Sequence, residues 1–242
     1  MMLDLVIPSQ PKELRPHQVE AIDMLRQSLV RGKKRVVIQG PTGFGKTLVA
    51  AKIVEGALAK GNNVIFVAPM ISLIGQTVLA FEQEGIRDIG VMQASHPRTN
   101  PLARIQVGSV QTLARRVVPS AAVIIVDECH IRSRVIETLM AEREDVVFIG
   151  LSATPWAKSM GQRWQDLVVP CTIGELISQG YLSRFTAYAP SVPDLTGVCL
   201  RAGDFDERAV EAVMSGKALM ASVIETWLEK GKNRPTLLFG VD

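Results

Sequence analysis

Residues 40–47 read Gly-Pro-Thr-Gly-Phe-Gly-Lys-Thr and follow the pattern G-x-x-x-x-G-K-T. Gly40, Gly43 and Gly45 let the chain turn tightly enough for successive backbone N–H groups to face a phosphate. Pro41, Thr42 and Phe44 fill the variable positions. Lys46 supplies a cation for the β- and γ-phosphates, and the Thr47 hydroxyl is a hard oxygen ligand for Mg²⁺. Roughly eighty residues on, Asp127 and Glu128 close an apolar run. One carboxylate can hold the metal, through water, while its neighbour orients and deprotonates an attacking water. The chemistry expected is hydrolysis of a nucleoside triphosphate, with ATP and Mg²⁺ as cofactors.

Such a loop needs a strand before it and a helix after it. The run 35–39 (RVVIQ) is strand-like. Residues 47–60 place Leu48, Val49, Ile53, Val54, Ala57 and Leu58 on one helical face and stop at Gly61. Further strands are expected at 64–68, 105–108, 122–126 and 146–151, all dense in Val and Ile, as strands covered on both faces are. Helices are expected at 17–31, 70–84, 109–116 and 131–143. The alternation predicts an α/β fold with a doubly wound, mostly parallel sheet, and the glycine loop makes it a P-loop NTPase. Ligands of such sheets sit at the carboxyl ends of the strands. There the sequence places the glycine loop, Pro69, Asp127-Glu128 and the run Ser152-Ala-Thr154-Pro155.

Composition sets wider bounds. Of 242 residues, 47% are hydrophobic and 21% charged, which fits a folded chain with a large core and argues against disorder. A net charge of +3 permits nucleic-acid binding without requiring it. Cys129, Cys171 and Cys199 form no C-x-x-C pair, so neither zinc nor a disulfide framework is expected. The N-terminus lacks the pattern of a signal peptide, and no apolar run nears the ~20 residues that span a bilayer. A cytoplasmic protein with no membrane partner is the expectation.

With Cys129 and His130 the acidic segment reads DECH. Phosphate loop, DECH and SATP in this order resemble a superfamily 2 helicase of the DExH-box type, over residues from about 14 to 155. The resemblance implies further roles. Arg15 and Gln18 in Leu14-Arg-Pro-His-Gln18 stand where adenine is recognised, and a glutamine amide can both donate and accept. His130 would couple the ATP site to a second lobe. Ser152 and Thr154 would link hydrolysis to movement. Pro69 opens a segment that resembles one nucleic-acid contact, although Met70 and Ile71 replace the basic or threonine residue often found there. Ser109, Gln111 and Thr112 resemble another, followed by Arg115 and Arg116. The same residues read equally as a capped, solvated helix. Trp156 and Trp164 could stack on bases, but with aromatics at 5% packing is the default use.

The resemblance implies a nucleic-acid partner, DNA in preference to RNA. It also implies two RecA-like lobes closing on one ATP: lobe 1 at residues 1–180, then an inter-lobe passage and the start of a truncated lobe 2 at 181–242. A strand is expected at 185–189, helices at 206–215 and 217–230, and a strand at 235–240. No arginine finger is seen before Asp242. Such a finger is worth on the order of 10³–10⁵ in rate, so slow hydrolysis by this chain alone is expected. The leading reading is an ATP-dependent helicase or translocase. The alternatives are a duplex-translocating subunit of a restriction or remodelling complex, and a nucleotide-binding module without activity. The sequence leaves oligomeric state open.

Overall fold

The computed structural model describes residues 12–93, 96–188, 194–201, 204–214, 217–232 and 234–237. The chain divides into two compact units, Met1–Ser183 and Arg184–Asp242. In the first, helix α1 (Pro16–Val30) leads into strand β1 (Arg35–Gln39) and helix α2 (Lys46–Ala59). Strand β2 (Val64–Ala68), a short 3₁₀ turn and helix α3 (Ile74–Gln83) follow. Then come β3 (Ile89–Val91), β4 (Ile105–Ser109) and the single turn α4 (Val110–Leu113). The rest comprises β5 (Val123–Asp127), α5 (Arg134–Glu142), β6 (Val147–Ser152), α6 (Met160–Arg163), β7 (Asp166–Val168) and α7 (Ile173–Ser178).

Seven strands form one sheet in the order β3-β4-β2-β5-β6-β1-β7. Every pairing in it is parallel. The sheet is therefore covered on both faces, and successive residues of a strand feed opposite cores. Val36 and Ile38 of β1 pack with Phe66 of β2 against Ala21 and Leu25 of α1, Val49 and Val54 of α2, and Phe81 of α3. Val37, Ile65, Ile124 and Phe148 point the other way, into a core closed by Ile136, Leu139 and Met140 of α5 and by Trp164. This fold is the RecA-like, doubly wound architecture expected from the sequence.

The helix ends follow local chemistry. At the start of α1, Pro16 occupies the first turn, where a missing N–H costs nothing, and the Gln18 side chain accepts a bond from the Arg15 N–H at 2.9 Å. Ser133 caps α5, and Thr172 and Glu175 form a reciprocal cap on α7. Gly61, at φ +82°, adopts the left-handed conformation that ends α2.

The structure departs from the sequence reading where elements are short. Strands β3 and β7 have three residues each and give no period to detect. The helix expected at 109–116 shrinks to Val110–Leu113, and the one at 70–84 begins as a 3₁₀ turn before α3. In the second unit, β8 (Leu200–Arg201) and β9 (Asp204–Phe205) form an antiparallel ladder, followed by α8 (Glu207–Met214) and α9 (Lys217–Gly231). The strand expected at 185–189 does not form over 185–188. Phe185 and Tyr188 are exposed, and among the described residues no neighbouring strand supplies a ladder. Of the strand expected at 235–240, residues 235–237 have no regular structure and the remainder lies outside the described residues.

Phe148 is wholly buried in a central strand. Phe148→Ala should cost about 3–5 kcal/mol of stability, read as a lower urea midpoint with an unchanged m-value.

Candidate nucleotide site

Parallel pairing brings the chemistry to one edge. In the β1–β6 register Gln39 pairs with Ser152, and in the β5–β6 register Asp127 pairs with Leu151. Three adjacent strands thus end nearly flush. The Gly40 N–H donates to the Ser152 carbonyl at 2.9 Å and carries the β1–β6 ladder one step into the glycine loop. The loop then curls: the Phe44 N–H bonds to Pro41 O at 2.9 Å, and Gly43 and Gly45 sit at φ +82° and +88°. A side chain at Gly40 would stand 2.6 Å from the Phe44 ring, and one at Gly45 2.4 Å from the Gln18 amide. Phe44 itself is wholly buried, so its ring anchors the loop from below.

The backbone N–H groups of Gly43, Gly45, Lys46 and Thr47 make no bond within the chain. They lie at the start of α2, whose dipole favours an anion. This donor set fits a polyphosphate. Lys46 Nζ lies 3.4 Å from Gly40 O and 3.7 Å from Glu128 Oε1, so the cation hangs between loop and acids. Thr47 is exposed in the same first turn of α2.

Opposite, Glu128 takes a left-handed backbone at φ +47°, an uncommon state for a residue with a side chain, costing on the order of 1–3 kcal/mol. The kink turns its carboxylate toward Lys46 and His130. His130 Nδ1 lies 3.3 Å from Glu128 Oε2 and 2.9 Å from Ser152 Oγ, and Ser152 Oγ accepts the Thr154 N–H at 3.1 Å. A continuous path thus runs from Lys46 through Glu128, His130 and Ser152 to Thr154. Asp127 stands beside it with its carboxyl pushed above the usual range, first by burial and then by the Glu128 charge; Lys46 offsets only part of this. A pocket short of positive charge fits a divalent cation. Among the described residues no three His, Cys, Asp or Glu side chains cluster as a metal cage. Thr47 and Asp127 would hold a Mg²⁺ without such a cage.

The N-terminal motif behaves less simply. Gln18 is 1% exposed, and its Nε2 donates to Phe44 O at 2.8 Å while its Oε1 accepts from Arg15. In this structure the amide braces the glycine loop rather than facing a base. His17 packs against Phe44 with ring centroids 5.2 Å apart, and edge-on against Tyr181 at 4.9 Å. The Arg15 guanidinium covers the Tyr181 ring at 4.8 Å. The role of Tyr181 was invisible in the sequence, because a tyrosine in a polar run far from every nucleotide motif carries no local signal.

Of the nucleic-acid candidates, Ser109 is wholly buried and caps α4, accepting from the Thr112 N–H at 3.2 Å. Thr112 Oγ1 lies 3.1 Å from Ser109 Oγ. Gln111, Arg115 and Arg116 are exposed and Pro69 half-buried. A cavity of about 120 Å³ lined by Pro69, Gln111, Asp127, Glu128 and Ile131 joins this surface to the acidic pair. Trp164 is buried in the core and Trp156 is exposed. No described helix is long and apolar enough to cross a membrane.

Sheet order, glycine loop and facing acids define a P-loop nucleotide-binding unit of the RecA-like helicase class. Residues 11–157 match the family described as "Type III restriction enzyme, res subunit". The chain belongs to that family, and with it to the superfamily 2 helicases. It is similar to a 51.5 kDa protein of a Lactococcus phage, 24% identical over 210 residues, covering 84% of this chain and 43% of the relative. It is also similar to IRC3 of Saccharomyces cerevisiae, 26% identical over 257 residues, covering 95% and 37% respectively. The chain thus spans less than half the length of these curated relatives. The UvsW helicase from bacteriophage T4 shares the fold with a TM-score of 0.58 at 18% identity, over 66% of this chain and 61% of that one.

His17 offers a pH test. Burial, helped by the Arg15 charge and opposed by the Phe44 backbone, lowers its pKa, so the folded chain holds the ring neutral. The unfolded chain takes up that proton below about pH 6.5. Stability is therefore full above the unfolded value and falls as pH drops from there toward the depressed folded value. His17→Phe keeps ring contacts and should flatten this part of the profile, measured by urea unfolding between about pH 7.5 and 5.

Proposed function

We propose that the chain is the ATP-binding lobe of a motor that couples Mg²⁺-dependent ATP hydrolysis to movement along nucleic acid. The observation that carries this reading is the contact path from Lys46 through Glu128 and His130 to Ser152 and Thr154, set against a loop of unpaired N–H groups. Lys46 and the loop amides hold the β- and γ-phosphates. Thr47 and Asp127 would hold Mg²⁺, which would supply charge neutralisation on the phosphates. Glu128 accepts a proton from the attacking water. Its contacts with Lys46 and His130 aim the carboxylate, and the kinked backbone keeps it from swinging back into the sheet edge.

His130 sits between the general base and Ser152. Any change in the hydrogen bonding of Glu128 therefore reaches Thr154, which is exposed. The path suits transmission from hydrolysis to a moving partner surface. Arg15 and Gln18 lie beside the loop, and for Gln18 to meet an adenine edge its amide would exchange Phe44 O for the base. Pro69, Gln111 and Thr112, with Arg115 and Arg116, would form part of the nucleic-acid track, DNA before RNA. Ser109 would shape that track from beneath. The alternative to a strand-separating helicase is a duplex-translocating motor subunit of a restriction or remodelling complex, which the family description of a restriction-enzyme subunit supports. Strand displacement scored against duplex translocation, on the complete protein, separates the two.

Two substitutions test the site. Lys46→Ala should abolish the calorimetric heat of Mg·ATP association. Glu128→Gln should leave association within about threefold and remove turnover by the complete protein, because it deletes the base and keeps the shape. Retained turnover in Glu128→Gln would refute the assignment of the base.

The nucleic-acid surface has its own test. Arg115→Ala with Arg116→Ala should weaken binding to single strands and duplex alike, and should lower the slope of log affinity against log salt by roughly 1–2. An unchanged slope would remove these residues from the track.

A further inference from the structure

The glycine loop is held from outside as well as from below. Leu182 lies on the tip of the loop: a side chain atom added at Gly43 would stand 2.4 Å from Leu182 Cδ2. Next to it, Tyr181 is wedged between two residues of the N-terminal motif. Arg15 covers its face at 4.8 Å and His17 meets it edge-on at 4.9 Å. The turn carrying both is firmly built. Gly180 takes φ +76°, and the N–H groups of Tyr181 and Leu182 bond to Leu176 O at 2.9 and 3.1 Å. Leu176, in α7, is wholly buried in the α1–α2 core. The His17 ring, 5% exposed, finds no hydrogen-bond partner for either nitrogen. Ring contacts with Phe44 and Tyr181 hold it in place. One contiguous stack therefore runs from the end of the first unit, through Tyr181 and His17, to the buried anchor of the loop.

We propose that Tyr181 and Leu182 are positioning residues of the nucleotide site, holding the glycine loop in its phosphate-receiving shape from a turn some 140 residues away in sequence. The proposal rests on the reading that the loop binds ATP. Neither residue touches a reacting atom. Leu182 limits the outward excursion of Gly43, and Tyr181 fixes Arg15 and His17, whose neighbour Gln18 braces Phe44 O. A loop of glycines has much conformational freedom to lose on closing around phosphate, and a preformed loop loses less. Coupling is reciprocal: if the turn shapes the loop, an occupied loop must steady the turn.

Two measurements on the full chain test this. The first is Mg·ATP affinity by calorimetry, with thermal unfolding recorded for each variant. Leu182→Ala and Tyr181→Ala should each weaken binding about tenfold at temperatures where the variant is fully folded. Leu182→Met and Tyr181→Phe keep the volume and the ring and should bind within about threefold of the parent. For Leu182→Ala the loss should be as large for inorganic tripolyphosphate as for ATP, because Leu182 meets the loop at Gly43 and not the base. The second measurement is hydrogen exchange in the parent chain. Adding Mg·ATP should slow exchange at the Tyr181 and Leu182 amides, which a turn serving only the fold would not show. Alanine variants that bind as tightly as the parent, or turn amides unmoved while those of the glycine loop are protected, would overturn the proposal. If the parent chain registers no binding at all, like Lys46→Ala, the ATP reading itself falls and this proposal with it.

Discussion

The parallel ladder joining β5, β6 and β1 is the constraint on which the rest depends. It sets the ends of three strands side by side, and its last rung, Gly40 N–H to Ser152 O, fixes where the glycine loop begins. Lys46 faces Glu128 for that reason and not because the ion pair draws them together. A partly exposed pair 3.7 Å apart contributes at most about 1 kcal/mol, whereas the buried strands contribute far more through Val36, Ile38, Ile125, Ile149 and their neighbours. Packing positions the charges. A one-residue slip of β6 would move Ser152 away from both His130 and Gly40 and break the site without removing any of its residues.

The site is locally uncomfortable in the ways function requires. Two carboxylates stand adjacent, the first of them raised in pKa by burial and by its neighbour. Glu128 holds a left-handed backbone. Several loop N–H groups and both His17 nitrogens lack partners within the chain. In a structural region each of these would be a defect. Here the unpaired loop N–H groups and the adjacent acids gather at the carboxyl edge of the sheet, while the two apolar cores on either side of the sheet supply the stability.

Much of this was legible from residue order. Long buried strands of Val and Ile announce a covered parallel sheet, and the loop–DECH–SATP succession places the chemistry at its carboxyl edge. Short elements were not legible. Strands β3 and β7 are made by pairing with neighbours already in place, and three residues cannot show a period. Phe185 to Tyr188 illustrates the converse, since a β-prone run forms no strand without a ladder to join. Side-chain direction was hidden too. Nothing in Gln18 says that it would brace a loop, because that outcome depends on an element distant in sequence, whereas the helix cap at Ser109 is one of the two readings its segment offered. Tyr181 was missed for the same reason.

The cysteine of the DECH segment fits into a hollow in the neighbouring strand. Its sulfur is nearly inaccessible and its thiol is pushed up to about 12, by burial and then by the Glu128 charge, so it stays protonated and unreactive. The hollow exists because Gly150 has no side chain: a carbon there would lie 2.6 Å from Cys129 Sγ and 2.8 Å from the Trp164 ring. Three residues on three separate segments therefore share a single volume. Enlarging one requires shrinking another, so positions 129, 150 and 164 are free to vary only in concert, and the residue between Glu128 and His130 is limited by a tryptophan packed on the same face of the sheet.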